Sequence, residues 1–169
     1  INEQTSDFYH HILMNTKVGE AAYQYLIDRG MEKETLETFK LGFSPPQRNA
    51  LKLYLENQET IEQSLLPDSG LFSDRDDGQL LDRFSGRIMF PIRDRKGQTV
   101  AFSGRIFEDP AIERPQSFHT AKYVNSPETE LFNKRKVLFN YDKARPAIRR
   151  AGEVYLFEGF MDVISSWQA

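Results

Sequence analysis

Arg87-Ile88-Met89-Phe90-Pro91-Ile92 and Thr99-Val100-Ala101-Phe102, separated by Asp94-Arg95-Lys96-Gly97, decide how this chain folds. Two apolar runs on either side of an Asp/Gly-type turn read as an antiparallel hairpin. Pro91 cannot donate to a ladder, so its strand is expected at a sheet edge or beside a bulge. Upstream, Leu71-Phe72-Ser73 and Leu80-Leu81-Asp82-Arg83-Phe84 flank Asp76-Asp77-Gly78, a second hairpin turn. Downstream, residues 107–120, with Pro110 and Pro115, read as a surface loop, and Lys122-Tyr123-Val124-Asn125 as a short strand.

Outside this strand-rich middle the texture is helical. Phe8, Ile12 and Leu13 share one helix face, and Ala22, Tyr25, Leu26 and Arg29 continue the pattern into Gly30, a helix terminator. A second helix carries Leu36 and Phe39 with Gly42 past its end. Asn49 caps a third through Leu51 and Tyr54, and a fourth runs from Thr60 to Leu66 before Pro67. Helical texture returns over 128–151, with Pro146 starting a fresh helix or kinking this one, and ends at Gly152. Glu153 to Phe157 reads as a buried strand, and Gly159 to Trp167 opens a helix. The boundary between two domains is expected near residue 150. The fold class is α+β: a helical lead-in and a mixed or antiparallel basic sheet over 1–150, then one β–α unit over 151–169.

The chain has 169 residues, 39% hydrophobic and 12% aromatic, enough for a packed core. It contains no Cys, which excludes a disulfide framework and a thiolate zinc site within this stretch. The longest apolar runs, such as Val154 to Phe157, are far too short to span a bilayer. A start at Ile1 and a stop at Ala169, inside an expected helix, read as a piece of a longer protein.

The net charge of −3 conceals a strong asymmetry. Residues 1–82 hold 7 Lys/Arg against 15 Asp/Glu, residues 83–150 hold 15 against 7, and residues 151–169 hold three acids and no base. A segment with net +8 between acidic ones points either to a polyanion site or to a solvated surface. Arg83 and Arg87 bracket Phe84-Ser85-Gly86, and Ser103-Gly104-Arg105 lies on the partner strand. These guanidinium groups either fork onto phosphates or pair with Asp82, Asp94 or Glu108. Lys122-Tyr123-Val124-Asn125-Ser126-Pro127 sets a cation, a ring, an amide and a hydroxyl in one extended stretch, suited to a single strand of nucleic acid. Alternatively, Tyr123 is packed in the core. Lys134-Arg135-Lys136 is a basic rim or a helix end. Glu158, at the end of the apolar run, and Asp162, in the next first turn, are a carboxylate pair suited to Mg²⁺, or simply a loop acid and an acid favouring a helix terminus. His10, His11 and His119 have no metal-ligand spacing.

Taken in order, these pieces resemble the DnaG-type bacterial primase core. The residues that carry the likeness are Arg83 through Gly97, Ala-Phe-Ser-Gly-Arg at 101–105, Lys-Tyr-Val-Asn-Ser-Pro-Glu-Thr at 122–129 and Leu-Phe-Asn-Lys at 131–134. Glu-Gly-Phe-Met-Asp-Val at 158–163 is similar to the opening of that family's Toprim domain, and residues 25–30 and 41–45 to its helical lead-in. Ser85 stands where the family commonly has arginine, and Phe160 where tyrosine is frequent.

The resemblance implies a nucleotidyltransferase that makes short RNA primers on single-stranded DNA from ribonucleoside triphosphates. It implies Glu158 as the catalytic acid, Glu158 and Asp162 as ligands of Mg²⁺ or Mn²⁺, and a nucleic-acid groove of Arg83, Arg87, Arg105, Lys122, Tyr123, Asn125, Ser126 and Lys134. Zinc would belong to another domain of the longer protein, as would the contact with replicative helicase. The protein would be a cytoplasmic monomer that visits the replisome, with no membrane association. The chain alone is expected to bind nucleic acid weakly and to make no primers. Other readings are a non-catalytic single-stranded-DNA-binding module and another Toprim protein, a topoisomerase or nuclease.

Overall fold

The computed structural model describes residues 1–74, 78–108 and 121–169. The turn residues Asp76 and Asp77, and the expected loop with Pro110, Pro115 and His119, lie outside them. Three helices lead in: α1 (Asn2–Asn15), α2 (Glu20–Asp28) and α3 (Lys33–Phe39). Then come β1 (Gly42–Ser44), α4 (Ala50–Glu56), β2 (Phe72–Asp74) and β3 (Leu80–Asp82). The central hairpin is β4 (Arg87–Arg93) and β5 (Thr99–Ile106), followed by β6 (Tyr123–Asn125), α5 (Tyr141–Ala151) and α6 (Phe160–Gln168).

The hairpin forms as its sequence requires, with Phe90 opposite Ser103 and Ile88 opposite Arg105. It is the middle of a four-stranded antiparallel sheet, order β1-β4-β5-β6. Pro91 is tolerated because β1 pairs only with Arg87 to Met89, leaving that side of the strand unpaired at the proline while its other side pairs with Phe102, and the register shifts just after it at Ile92/Arg93. The second hairpin pairs Phe72 with Asp82.

Both sheet faces are covered. One carries Phe43, Ile88 and Phe90, packed with Leu26, Leu36, Phe39 and Ile164 from α2, α3 and α6. The other carries Met89 and Phe102, packed with Tyr9, Leu51, Leu55 and Phe84. Alternation along β4 sends successive side chains into two different cores, which is why that strand is apolar throughout. At β1 the contact with α1 is close: a Cβ on Gly42 would fall 2.5 Å from Tyr9 Cβ and 2.7 Å from its backbone carbon. Gly42 therefore serves the strand–helix contact rather than ending α3, where Lys40 takes the left-handed conformation at φ 53°. Gly30, at φ 84°, terminates α2 as expected.

Asn49 precedes α4, but its side chain caps nothing. The cap comes from Asp82, whose carboxylate accepts from the Leu51 N–H (2.7 Å) and the Lys52 N–H (3.1 Å). Burial raises the Asp82 pKa, and hydrogen bonds from Leu51, Lys52 and Ala50 offset that only in part. A carboxyl whose pKa is higher folded than unfolded contributes stability at low pH that is lost as pH rises through the folded value. Asp82→Ala should cost about 2 kcal/mol, because two helix-end donors lose their acceptor. In urea titrations over a pH series, the wild type's stability relative to Asp82→Asn should fall as pH rises above the ordinary carboxylate range. A difference that grows with pH would contradict the burial argument.

Three expected elements differ. The segment 60–66 holds only a 3-10 turn, Gln63–Leu65, with another at Pro67–Ser69. The helix expected from residue 128 begins at Tyr141, and Pro146 lies inside it. Glu153 to Phe157 is not a strand and has no regular secondary structure, with Tyr155 79% and Leu156 72% exposed. A parallel strand exists only where neighbours complete its ladder, and the described residues provide none. Its apolar side chains instead border a cavity of about 620 Å³ between α5 and α6. No helix among the described residues is long and apolar enough to cross a membrane.

Candidate nucleic-acid interface

The outer edge of the sheet assembles the candidate site. Antiparallel register places Arg105 of β5 opposite Tyr123 of β6, and Ser103 opposite Asn125. Directly opposed residues share a face, so Arg105, Tyr123 and Asn125 project to one side. Lys122 and Asn125 are exposed, whereas Tyr123 is half-buried. Burial raises the Tyr123 pKa, and the neighbouring Arg105, by charge and hydrogen bond, opposes this only in part. The Tyr123 phenol thus stays protonated at neutral pH and available as a donor.

The charge of Asp162 adds, as the smallest contribution, to the same upward shift. The packing explains why. Phe160, at the start of α6, stacks on Phe90 with ring centroids 5.4 Å apart and lies 6.1 Å from the Tyr123 ring. An acidic turn and a cationic edge are thereby held together by three aromatic rings. Glu158 and Asp162 are both exposed. Gly159 between them leaves room for the carboxylate, since a Cβ there would fall 2.8 Å from Asp162 Oδ2.

Three other residues expected at the site, Arg87, Arg83 and Ser126, have their side chains engaged elsewhere. Arg87 is 5% exposed, and its Nη1 donates to the Gly104 (3.0 Å), Ala121 (3.0 Å) and Lys122 (3.5 Å) carbonyls. Gly104 permits this, because a Cβ there would come within 2.9 Å of both Arg87 Cδ and a Phe84 ring carbon. Arg83 ties down the β2–β3 hairpin by donating to the Gly70 (3.1 Å) and Phe72 (2.8 Å) carbonyls. Ser126 is 2% exposed, and its hydroxyl accepts from the Phe102 N–H at 3.0 Å. Lys134 is exposed, and its backbone N–H reaches Glu128 at 3.3 Å.

One neighbour of the site was not singled out by the sequence as functional. Tyr25 of α2 lies between two guanidinium groups, with Arg105 Cζ 5.3 Å and Arg29 Cζ 5.9 Å from its ring centroid. The Tyr25/Arg29 spacing of four residues on a helix was the available signal. Among the described residues no three His, Cys, Asp or Glu side chains gather in a way that could hold a metal. Glu158 and Asp162 offer oxygen donors alone, the chemistry of a hard cation whose remaining positions are filled by water or phosphate.

Together the sheet, its helical covers and the acid-flanked cationic edge define an α+β domain of the catalytic-core class. The family described as the DNA primase catalytic core, N-terminal domain, matches residues 8–145, and the chain belongs to it. It is 49% identical to the DNA primase of Enterococcus faecalis, over 100% of this chain and 26% of that protein. Its fold is similar to the RNA polymerase domain of Mycobacterium tuberculosis primase DnaG in complex with a double-stranded DNA oligomer with a 6-nucleotide overhang. The TM-score is 0.82 at 33% identity, over 96% of this chain and 48% of that one. It is also similar to a DnaG primase catalytic domain bound to single-stranded DNA, with TM-score 0.76 at 32% identity, over 96% of this chain and 47% of that one. The chain thus spans about a quarter of the length of the curated relatives it matches.

Proposed function

We propose that this chain is the template-binding part of a DNA primase, a DNA-directed RNA polymerase that lays short RNA primers on single-stranded DNA. The observation that carries the reading is the meeting of the Arg105–Tyr123 edge with the Glu158–Asp162 turn through Phe160. Residues 1–150 act as the N-terminal subdomain of the core and 151–169 as the opening of a Toprim domain.

In this reading Lys122, Arg105 and Lys134 neutralise backbone phosphates of template and incoming ribonucleotide. Tyr123 and Asn125 meet sugar or base edges. Arg87 and Ser126 serve the groove indirectly, by fixing the main chain that presents Lys122 and Asn125, while Arg83 holds the β2–β3 hairpin. Glu158 and Asp162 would hold Mg²⁺ or Mn²⁺, which supplies charge neutralisation at the reacting phosphate when bound. Family membership over residues 8–145 supports the primase over a topoisomerase or nuclease. Replicative helicase would be engaged through another domain, and the cytoplasm is the compartment such a protein serves.

The test is binding of labelled single-stranded DNA by the chain across a salt series, with and without Lys122→Ala/Arg105→Ala.

A further inference from the structure

We infer a second phosphate-binding surface, at the opposite end of the sheet, formed by the tip of the β4–β5 hairpin and the flank of α5. Arg95 lies over the Tyr141 ring, its guanidinium carbon 6.0 Å from the centroid, and so joins the hairpin tip to the start of α5. Arg145 and Arg149 follow Tyr141 at four-residue intervals, which sets them on one side of the helix about 6 Å apart. Lys96 completes the group beside Arg95 and is exposed, as are Arg95 and Arg149.

Three observations point to an anion. First, Asp94 of the hairpin tip and Asp142 of the first turn of α5 are already engaged. Asp94 accepts from the Lys96 N–H (2.8 Å) and the Gln98 N–H (3.0 Å), while Asp142 pairs with Lys143 at 3.3 Å. Second, among the described residues no carboxylate pairs with Arg95, Lys96, Arg145 or Arg149. Third, the tip is preorganised, because the Asp94 turn fixes its backbone and Gly97, at φ 81°, closes it. The helix dipole accounts for Arg149, which lies in the last turn of α5. It does not account for Arg95, Lys96 or Arg145.

A row of forked cations with a ring among them suits the sugar–phosphate backbone of nucleic acid. The inference rests on the nucleic-acid reading of the Arg105–Lys122 edge. From Thr99 to Arg105 β5 advances about 20 Å, at roughly 3.3 Å per residue. A strand lying in the groove would need several nucleotides more to reach the hairpin tip.

The experiment is fluorescence anisotropy of the 169-residue chain and its Arg145→Gln/Arg149→Gln variant, each with a hexanucleotide and with an oligonucleotide of about twenty nucleotides. The variant should bind the hexamer as the wild type does, which also shows that it is folded. It should bind the long strand about fivefold more weakly, with a salt slope reduced by about 1.4, or 0.7 per lost phosphate contact on a single strand. An unchanged affinity and slope for the long strand would overturn the second surface. So would equal weakening for both lengths, which would place these arginines in the groove or in the fold. If the wild type binds only the long strand and the variant loses it, the second surface stands and the Arg105–Lys122 groove fails.

Discussion

Replacing Lys122 and Arg105 together by alanine should weaken single-stranded DNA binding by at least about tenfold near physiological salt, and reduce the salt slope by about 1.4. The two side chains differ in what they otherwise do. Lys122 is exposed, so its loss leaves the fold intact and removes a phosphate contact. Arg105 also rests on Tyr25 and Tyr123, so its loss frees both rings from the geometry they share. Lys122→Ala alone should therefore lower affinity uniformly, whereas Arg105→Ala should also lower the Tyr123 fluorescence anisotropy or shift its ring resonances. Affinity and slope that stay at the wild-type level would remove the groove from this edge.

The largest effect on stability is expected at Arg87. Truncation to alanine should cost about 3 kcal/mol in urea unfolding, since the Gly104, Ala121 and Lys122 carbonyls lose a charged donor. A space also opens against Phe84, where Gly104 now lets the side chain pass. Oligonucleotide affinity should fall with it, because the main chain carrying Lys122 is no longer pinned. Arg87→Lys should not rescue stability, as the more strongly hydrated ammonium is costlier to bury than a guanidinium. A loss of binding with unfolding unchanged would instead mean that Arg87 leaves its pocket to meet phosphate directly.

Arg87 also shows how far the sequence could be read. That a basic cluster lay on the β4–β5 hairpin was legible, because apolar runs around an Asp/Gly turn leave few alternatives. Which arginines face outward was not, since a guanidinium satisfies buried carbonyls as well as phosphate oxygens. Gly104 and Ser126 decide the matter through contacts the local sequence does not encode. Asp82 caps α4 from 31 residues away, so Asn49 was the natural candidate by proximity and the wrong one. Glu153 to Phe157 has the composition of a buried strand, yet composition cannot provide the neighbours a ladder requires. The acid turn was legible as residue types. Its approach to Tyr123 depends on Phe160 stacking on Phe90, which no spacing rule predicts.

The most direct test of the account is primer synthesis by the longer protein that contains this chain, on single-stranded DNA with Mg²⁺ and ribonucleotides, comparing wild type with Glu158→Gln. The account predicts primers from the wild type and at least about a hundredfold less from the variant, with template affinity within about twofold, since Glu158 acts at the reacting phosphate and not in the grip. Primer synthesis undiminished in Glu158→Gln would contradict it, and the meeting of acid turn and cationic edge would then be packing alone.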